Sequence, residues 1–170
     1  MGKGTLIKRL LERVDGLSLA VSATTRTARP GEREGVDYHF LSVQDFERRV
    51  AAGEFVEHAV YAGNRYGTLR SELQRPGRGI VLEIDVQGAR QVRETLPGAV
   101  RIFVEPPSFA ELRTRLAGRG SDSHEQIAAR LEAAAREMEA REEFQHRIVN
   151  DDLERATDEL VTLAATICPQ

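Results

Sequence analysis

The sequence predicts an α/β fold: a parallel sheet with helices on both faces, carrying a small mixed α/β lobe. Three observations predict it. From Gly79 onward, strand-like runs alternate with helical patterns, the rhythm of a parallel sheet covered on both faces. Gly79 to Ile84 (G-I-V-L-E-I) is a nearly continuous apolar run, as a strand buried on both faces requires. Tyr38 to Leu69 breaks the rhythm with short strands and a hairpin, the mark of an inserted lobe. We therefore expect a single domain, with its core over 1–36 and 78–170 and the lobe over 37–77.

Thr5 to Arg13 predicts a helix, with Leu6, Ile7, Leu10 and Leu11 on one face and Gly16 beyond its end. Leu17 to Val21 predicts a strand and Val36 to Leu41 another. Ser42 predicts an N-cap for a helix over Val43 to Ala52, with Phe46 and Val50 one turn apart and Gly53 as its stop. Phe55 to Tyr61 and Arg65 to Thr68 predict two strands around a Gly63-Asn64 turn. A helix over Val86 to Thr95 and a strand over Ala99 to Val104 follow. Ser108 then caps a helix containing Leu112 and Leu116. A glycine-bracketed loop leads to a long helix over His124 to Phe144, a strand over Arg147 to Val149 and a closing helix over Asp152 to Ile167.

The bulk composition excludes several classes. The 170 residues suffice for one domain with a proper core, and 41% hydrophobic with 30% charged residues is ordinary for a globular chain. A net charge of -3 argues against a general nucleic-acid binder. With Cys168 as the single cysteine, an internal disulfide and a thiolate metal cage are both ruled out. No apolar run approaches the ~20 residues of a membrane span. The basic start, with Lys3, Lys8, Arg9 and Arg13, lacks the apolar region of a secretory signal, so we expect a cytoplasmic protein with no membrane partner. Monomer and homo-oligomer both remain open.

Two stretches carry chemistry. Ser22 to Tyr38 (S-A-T-T-R-T-A-R-P-G-E-R-E-G-V-D-Y) leaves an apolar run and turns to hydroxyls, arginines and glycines. Arg26 and Arg29 stand three apart in a loop that Pro30, Gly31 and Gly35 keep from becoming a long helix. Two permanently charged forks suit a phosphate dianion, although alone they also fit a solvated basic loop. Gly2-Lys3-Gly4-Thr5, opening a helix, reads as the second half of a phosphate-binding loop: backbone N–H groups cradle phosphate oxygens and the lysine reaches the transferred group.

Taken in order, V-S-A-T-T-R-T-A-R-P-G-E, G-V-D-Y-H-F, G-E-F-V-E, G-N-R-Y-G-T, L-E-I-D-V-Q-G-A, I-F-V-E-P-P-S, R-L-A-G-R-G, R-L-E-A-A and I-V-N-D-D-L resemble guanylate kinase from Gly2 to about Leu163. The resemblance implies a P-loop-type core, a GMP-binding lobe, and transfer of a phosphoryl group from ATP to GMP with magnesium on the ATP phosphates. It implies that Arg26, Arg29, Tyr38 and Tyr66 hold the GMP phosphate, as two forks and two phenols can. It implies that Glu57 accepts from guanine N1–H and the 2-amino group, with Ser22, Thr68 and Asp85 completing the base pocket. A carboxylate, which only accepts, suits paired donors and leaves adenine unmatched. Asp85, ending an apolar strand, would also lie where ligands bind in open α/β sheets.

On the ATP side the resemblance implies Gly2, Lys3, Gly4 and Thr5 at the phosphates, Arg115, Arg119 and Arg130 as lid arginines, and Asn150 at adenine. Lys3, Arg26, Arg119 and Arg130 would carry catalysis by positioning and electrostatics. Glu83, within the apolar run, is expected to be structural.

The chain departs from the family pattern in three places. The first glycine of the phosphate loop and the strand before it would lie upstream of Met1, and we expect a start assigned too late. Gly4 stands where phosphate loops place Ser or Thr for magnesium, with Thr5 one residue on, so the magnesium ligand is left open. Arg70 to Arg78 is a few residues short, and His58 replaces a frequent aromatic. The alternative function is a catalytically impaired GMP-binding module, or a protein-binding one of the kind that guanylate-kinase-like scaffold domains provide.

Overall fold

The computed structural model describes residues 2–117 and 124–168. The chain divides into two units, Asp15–Ala99 and Met1–Val14 with Val100–Gln170.

In the first of these, β1 (Leu17–Leu19) pairs in parallel with β6 (Gly79–Val81). A second, four-stranded sheet has the order β3-β2-β5-β4, built from β2 (Ser22–Thr24), β3 (His39–Phe40), β4 (Phe55–Tyr61) and β5 (Asn64–Leu69). The strand expected over Leu17 to Val21 stops at Leu19, and the chain enters the second sheet at Ser22. Ala20 N–H donates to Val81 O, and the next N–H, of Val21, donates to the Glu72 carboxylate at 2.8 Å. A side chain 51 residues away satisfies the backbone where it changes sheets, which no local pattern announces.

Helix α2 (Val43–Ala51) begins as expected, with Ser42 Oγ accepting from Asp45 N–H at 3.0 Å. Its Phe46 stacks on Phe55 at 4.5 Å, and with Ala23 and Leu69 these rings form the core of the lobe. The hairpin turn falls one residue earlier than expected. Ala62 and Gly63 are its two central residues, both with positive φ, and Asn64 already belongs to β5. That is the turn whose twist matches flanking strands.

Three further expectations are corrected. The strand placed over Val36 to Leu41 is only His39–Phe40, because residues 33–38 close a turn on Asp37 N–H to Arg33 O and Gly35 N–H to Tyr38 O. The strand placed over Gly79 to Ile84 ends at Val81 and is half-buried, not covered on both faces; among the described residues it pairs with β1 alone. Glu83 accordingly lies past the strand and is exposed. Helix α3 (Val86–Thr95) follows, with the Asp85 carboxylate as its N-cap.

In the other unit, α1 (Lys3–Arg13) packs on α6 (Leu153–Ile167), whose N-cap is Asp152. Arg9 pairs with Glu154, and Arg13 with Asp158 at 2.7 Å. Strands β7 (Ile102–Glu105) and β8 (His146–Val149) pair in parallel. Helices α4 (Phe109–Ala117) and α5 (His124–Glu139) pack through Leu112, Ala134, Ile127 and Leu131. The long helix expected to reach Phe144 stops at Glu139, where a short 3₁₀ turn takes over. No helix among the described residues is long and apolar enough to cross a membrane.

Candidate active site

Antiparallel pairing sets Glu57 opposite Thr68, and Thr68 opposite Ser22. Three strands therefore place an acid and two hydroxyls in one row on one face of the sheet. Glu57 is only 4% exposed, yet its carboxylate is partnered: Thr68 Oγ1 donates to Oε1 at 2.7 Å. Its other oxygen, Oε2, faces Gly88 on the first turn of α3, where a Cβ would come within 2.5 Å. Burial, aided by the charge of Asp85, pushes the Glu57 carboxyl above the ordinary carboxylate range, against the pull of the Thr68 hydroxyl.

Asp85 caps α3, its Oδ1 accepting from Gly88 N–H at 2.8 Å. It thereby fixes the helix end against which Glu57 rests. The row predicted for the base is thus brought together, but Thr68 is 1% exposed with its hydroxyl committed to Glu57. Its part is to orient the acid.

The arginine loop is equally organised. Thr24 Oγ1 accepts from Arg26 N–H, and Thr25 Oγ1 accepts from Arg65 N–H, anchoring the loop to β2 and β5. Arg26 Nη2 donates to both carboxylate oxygens of Glu32, at 2.7 and 2.9 Å, while its Nη1 donates to Thr27 O. Glu32 also accepts from Arg29 N–H at 2.7 Å. This salt bridge holds the Glu32 carboxyl below its ordinary range and Arg26 above its own. The Arg26 guanidinium lies 5.3 Å from the centre of the Tyr38 ring, and the nearby Tyr66 phenol adds to the interactions that favour its charge. The two tyrosine rings meet edge to face at 6.2 Å. Burial raises the Tyr38 phenol above its usual value, helped by Tyr66 and Glu83. Arg29 is exposed. Arg26, Tyr38 and Tyr66 therefore meet around one guanidinium, with Glu32 as a member that sequence reasoning left without a role. The only signal for it was an acid three residues after Arg29, at the spacing of a turn.

A second acid was missed altogether. Glu72 is 6% exposed and takes Val21 N–H, Arg75 Nε at 2.5 Å and His39 Nε2 at 2.9 Å. Burial alone would raise its pKa, but the hydrogen bonds from Arg75, Val21 N–H and His39 outweigh this and hold it low. His39 Nδ1 lies 3.2 Å from Glu34, so the imidazole bridges two carboxylates beneath the arginine loop.

In the other unit, Gly2 is the N-cap of α1 at φ 75°, and a Cβ there would meet Asn150 Nδ2 at 2.7 Å. Only glycine fits that approach in that backbone region. Asn150 is 5% exposed, with its N–H on Glu105 O at the end of β7. Lys3 opens the helix, Gly4 and Thr5 are exposed on its first turn, and that turn contains no acid. An uncapped, acid-free helix start is the electrostatic setting an anion needs. Arg115 lies on α4 and Arg130 on α5, but their side chains, like Arg119 as a whole, lie outside the described residues.

Comparison with known proteins bears on the same residues. A family model for guanylate kinase matches residues 1–166. A guanylate kinase of Chromohalobacter salexigens is 49% identical over 165 residues, covering 95% of this chain and 77% of that one. One from Thermosynechococcus vestitus is 49% identical over 172 residues, covering 99% and 90% respectively. The crystal structure of guanylate kinase from Anaplasma phagocytophilum superposes with a TM-score of 0.79 at 35% identity, covering 98% of this chain and 82% of that one.

Proposed function

Because this chain belongs to the guanylate kinase family, we propose that it moves the γ-phosphoryl of ATP onto the phosphate of GMP, releasing ADP and GDP. Both substrates are read by the chain's own residues. The observation that carries the base assignment is the buried Glu57 carboxylate, oriented by the Thr68 hydroxyl and left uncrowded by Gly88. Such an acceptor-only group suits the N1–H and 2-amino donors of guanine. Ser22 and Asp85 border it. Arg29, exposed beside the ordered Arg26, Tyr38 and Tyr66, supplies the fork for the acceptor phosphate.

On the donor side, backbone N–H groups from Gly2 to Thr5 and the Lys3 ammonium would receive ATP phosphates, with Asn150 at the adenine. Magnesium would neutralise those phosphates. Among the described residues no three acidic, histidine or cysteine side chains cluster as a metal cage. The protein ligand to magnesium is left open, with the Thr5 hydroxyl on α1 one residue past the position where phosphate loops place Ser or Thr. Arg115, Arg119 and Arg130 complete the proposal as the lid, over 115–130, with 37–77 as the GMP-binding lobe. A cytoplasmic setting, where both nucleotides are available, belongs to the same reading.

Two variants test it. Glu57→Ala is expected to lose the preference for GMP, and Arg29→Ala to raise the GMP KM about 100-fold through lost phosphate affinity. Full GMP turnover in both variants would overturn the site.

A further inference from the structure

Glu57 lies on β4, the edge strand of its sheet. On the side away from β5, alternate residues of β4 present their N–H and C=O groups outward. Those groups are taken up by side chains of α3. Gln91 Oε1 accepts from His58 N–H at 3.1 Å, and Gln91 Nε2 donates to His58 O at 2.7 Å. Thr95 Oγ1 donates to Val56 O at 3.2 Å. A primary amide thus stands in for a neighbouring peptide unit at His58, and a hydroxyl does so at Val56. The two residues so held flank Glu57 directly. Gly88, Gln91 and Thr95 follow one another at helical spacing along a single stripe of α3, with Gly88 giving Glu57 Oε2 its room.

We propose that Gln91 is a positioning residue for guanine recognition. By pairing with both backbone groups of His58 it locks β4 to α3, and so sets where the Glu57 carboxylate stands between Thr68 and Gly88. The inference rests on Glu57 as the reader of guanine. It adds that the accuracy of this reading comes from an amide that need not touch the nucleotide.

The test compares steady-state kinetics of Gln91→Ala with the parent chain, using GMP and inosine monophosphate as acceptors and ATP as donor. Inosine monophosphate keeps N1–H but lacks the 2-amino group, so it reports whether both guanine donors are still read. Gln91→Ala is expected to raise the GMP KM about 10-fold and to narrow the preference for GMP over inosine monophosphate, leaving the ATP KM within about twofold. A purely structural role would lower thermal stability without changing acceptor preference.

Gln91→Glu provides a second arm. Its ionised carboxylate can accept from His58 N–H but repels His58 O, whereas the protonated acid restores both bonds. Its GMP KM relative to parent should therefore recover as pH falls toward the carboxylic acid range. A GMP KM and acceptor preference unchanged in Gln91→Ala, or a Gln91→Glu defect that does not respond to pH, would overturn the proposal. Glu57→Ala run alongside separates the two readings. If it impairs GMP use while both Gln91 variants behave as parent, the positioning role fails and the site stands. If Glu57→Ala leaves GMP use unchanged, the site fails, and the Gln91 role with it.

Discussion

Thr68 Oγ1 donates to Glu57 Oε1 at 2.7 Å across the β4–β5 pair, inside a region where both residues are almost fully buried. The hydroxyl both turns the carboxylate and eases its ionisation, which burial opposes. Thr68→Val keeps the shape and deletes the donor. A hydrogen bond to a charged group contributes about 1.5 kcal/mol or more, so the GMP KM should rise about 10-fold with kcat little changed. Steady-state kinetics over a GMP titration checks this.

With Glu57 as the proposed reader of guanine, its raised carboxyl is expected to make GMP use sensitive to acid. Only the ionised form accepts from both guanine donors, so the GMP KM should begin to climb at a pH above the ordinary glutamate value of about 4.3. For stability the sign reverses. A carboxyl whose folded pKa lies above its unfolded value stabilises the fold below the unfolded pKa, and that contribution is lost as pH rises through the folded one. Glu57→Gln should therefore raise the Tm at neutral pH, with a difference from parent that shrinks in acid, while costing GMP preference. Melting curves and acceptor kinetics from pH 4 to 8 measure both effects.

Glu72 behaves in the opposite way. Its folded carboxyl is held low, so its contribution is present above the unfolded value near 4.3 and lost as pH falls through the folded one. Glu72→Gln should lower stability by about 2 kcal/mol at pH 7, since the charged bonds to Arg75 and Val21 N–H are weakened. The gap should close in acid. Denaturant unfolding at pH 7 and pH 3 tests the pair of statements.

Ala62 is a non-glycine residue with positive φ, 48°, at the hairpin turn. A left-handed alanine costs about 1 kcal/mol, and Asn before Gly63 is the pair such turns favour. Ala62→Asn should raise the unfolding midpoint with an unchanged m-value, by about 1 kcal/mol of stability.

Where the signals were local, the sequence predicted the structure well. Ser42 caps the helix it was expected to cap, and Val86–Thr95 is helical to the residue. Where a distant group decides, it did not. The change of sheet after Leu19 falls where Val21 N–H meets the distant Glu72 carboxylate, and β6 ends at Val81 on its pairing with the distant β1. The same holds for the site. The motif order named Glu57, Arg26 and Tyr38, but that Arg26 is engaged by Glu32, or that Glu57 is bounded by a helix residue 31 positions on, appears only once the chain is folded.

The side chains that fasten α3 to β4 have a bearing on how the protein behaves in crowded solution. An open strand edge invites pairing with another molecule. Gln91 already occupies the N–H and C=O of His58, and Thr95 the C=O of Val56, that an incoming strand would need. On the proposed reading, the contacts that steady the Glu57 carboxylate for one small base also cover part of that edge, so keeping the molecules apart and choosing the nucleotide would draw on the same few atoms.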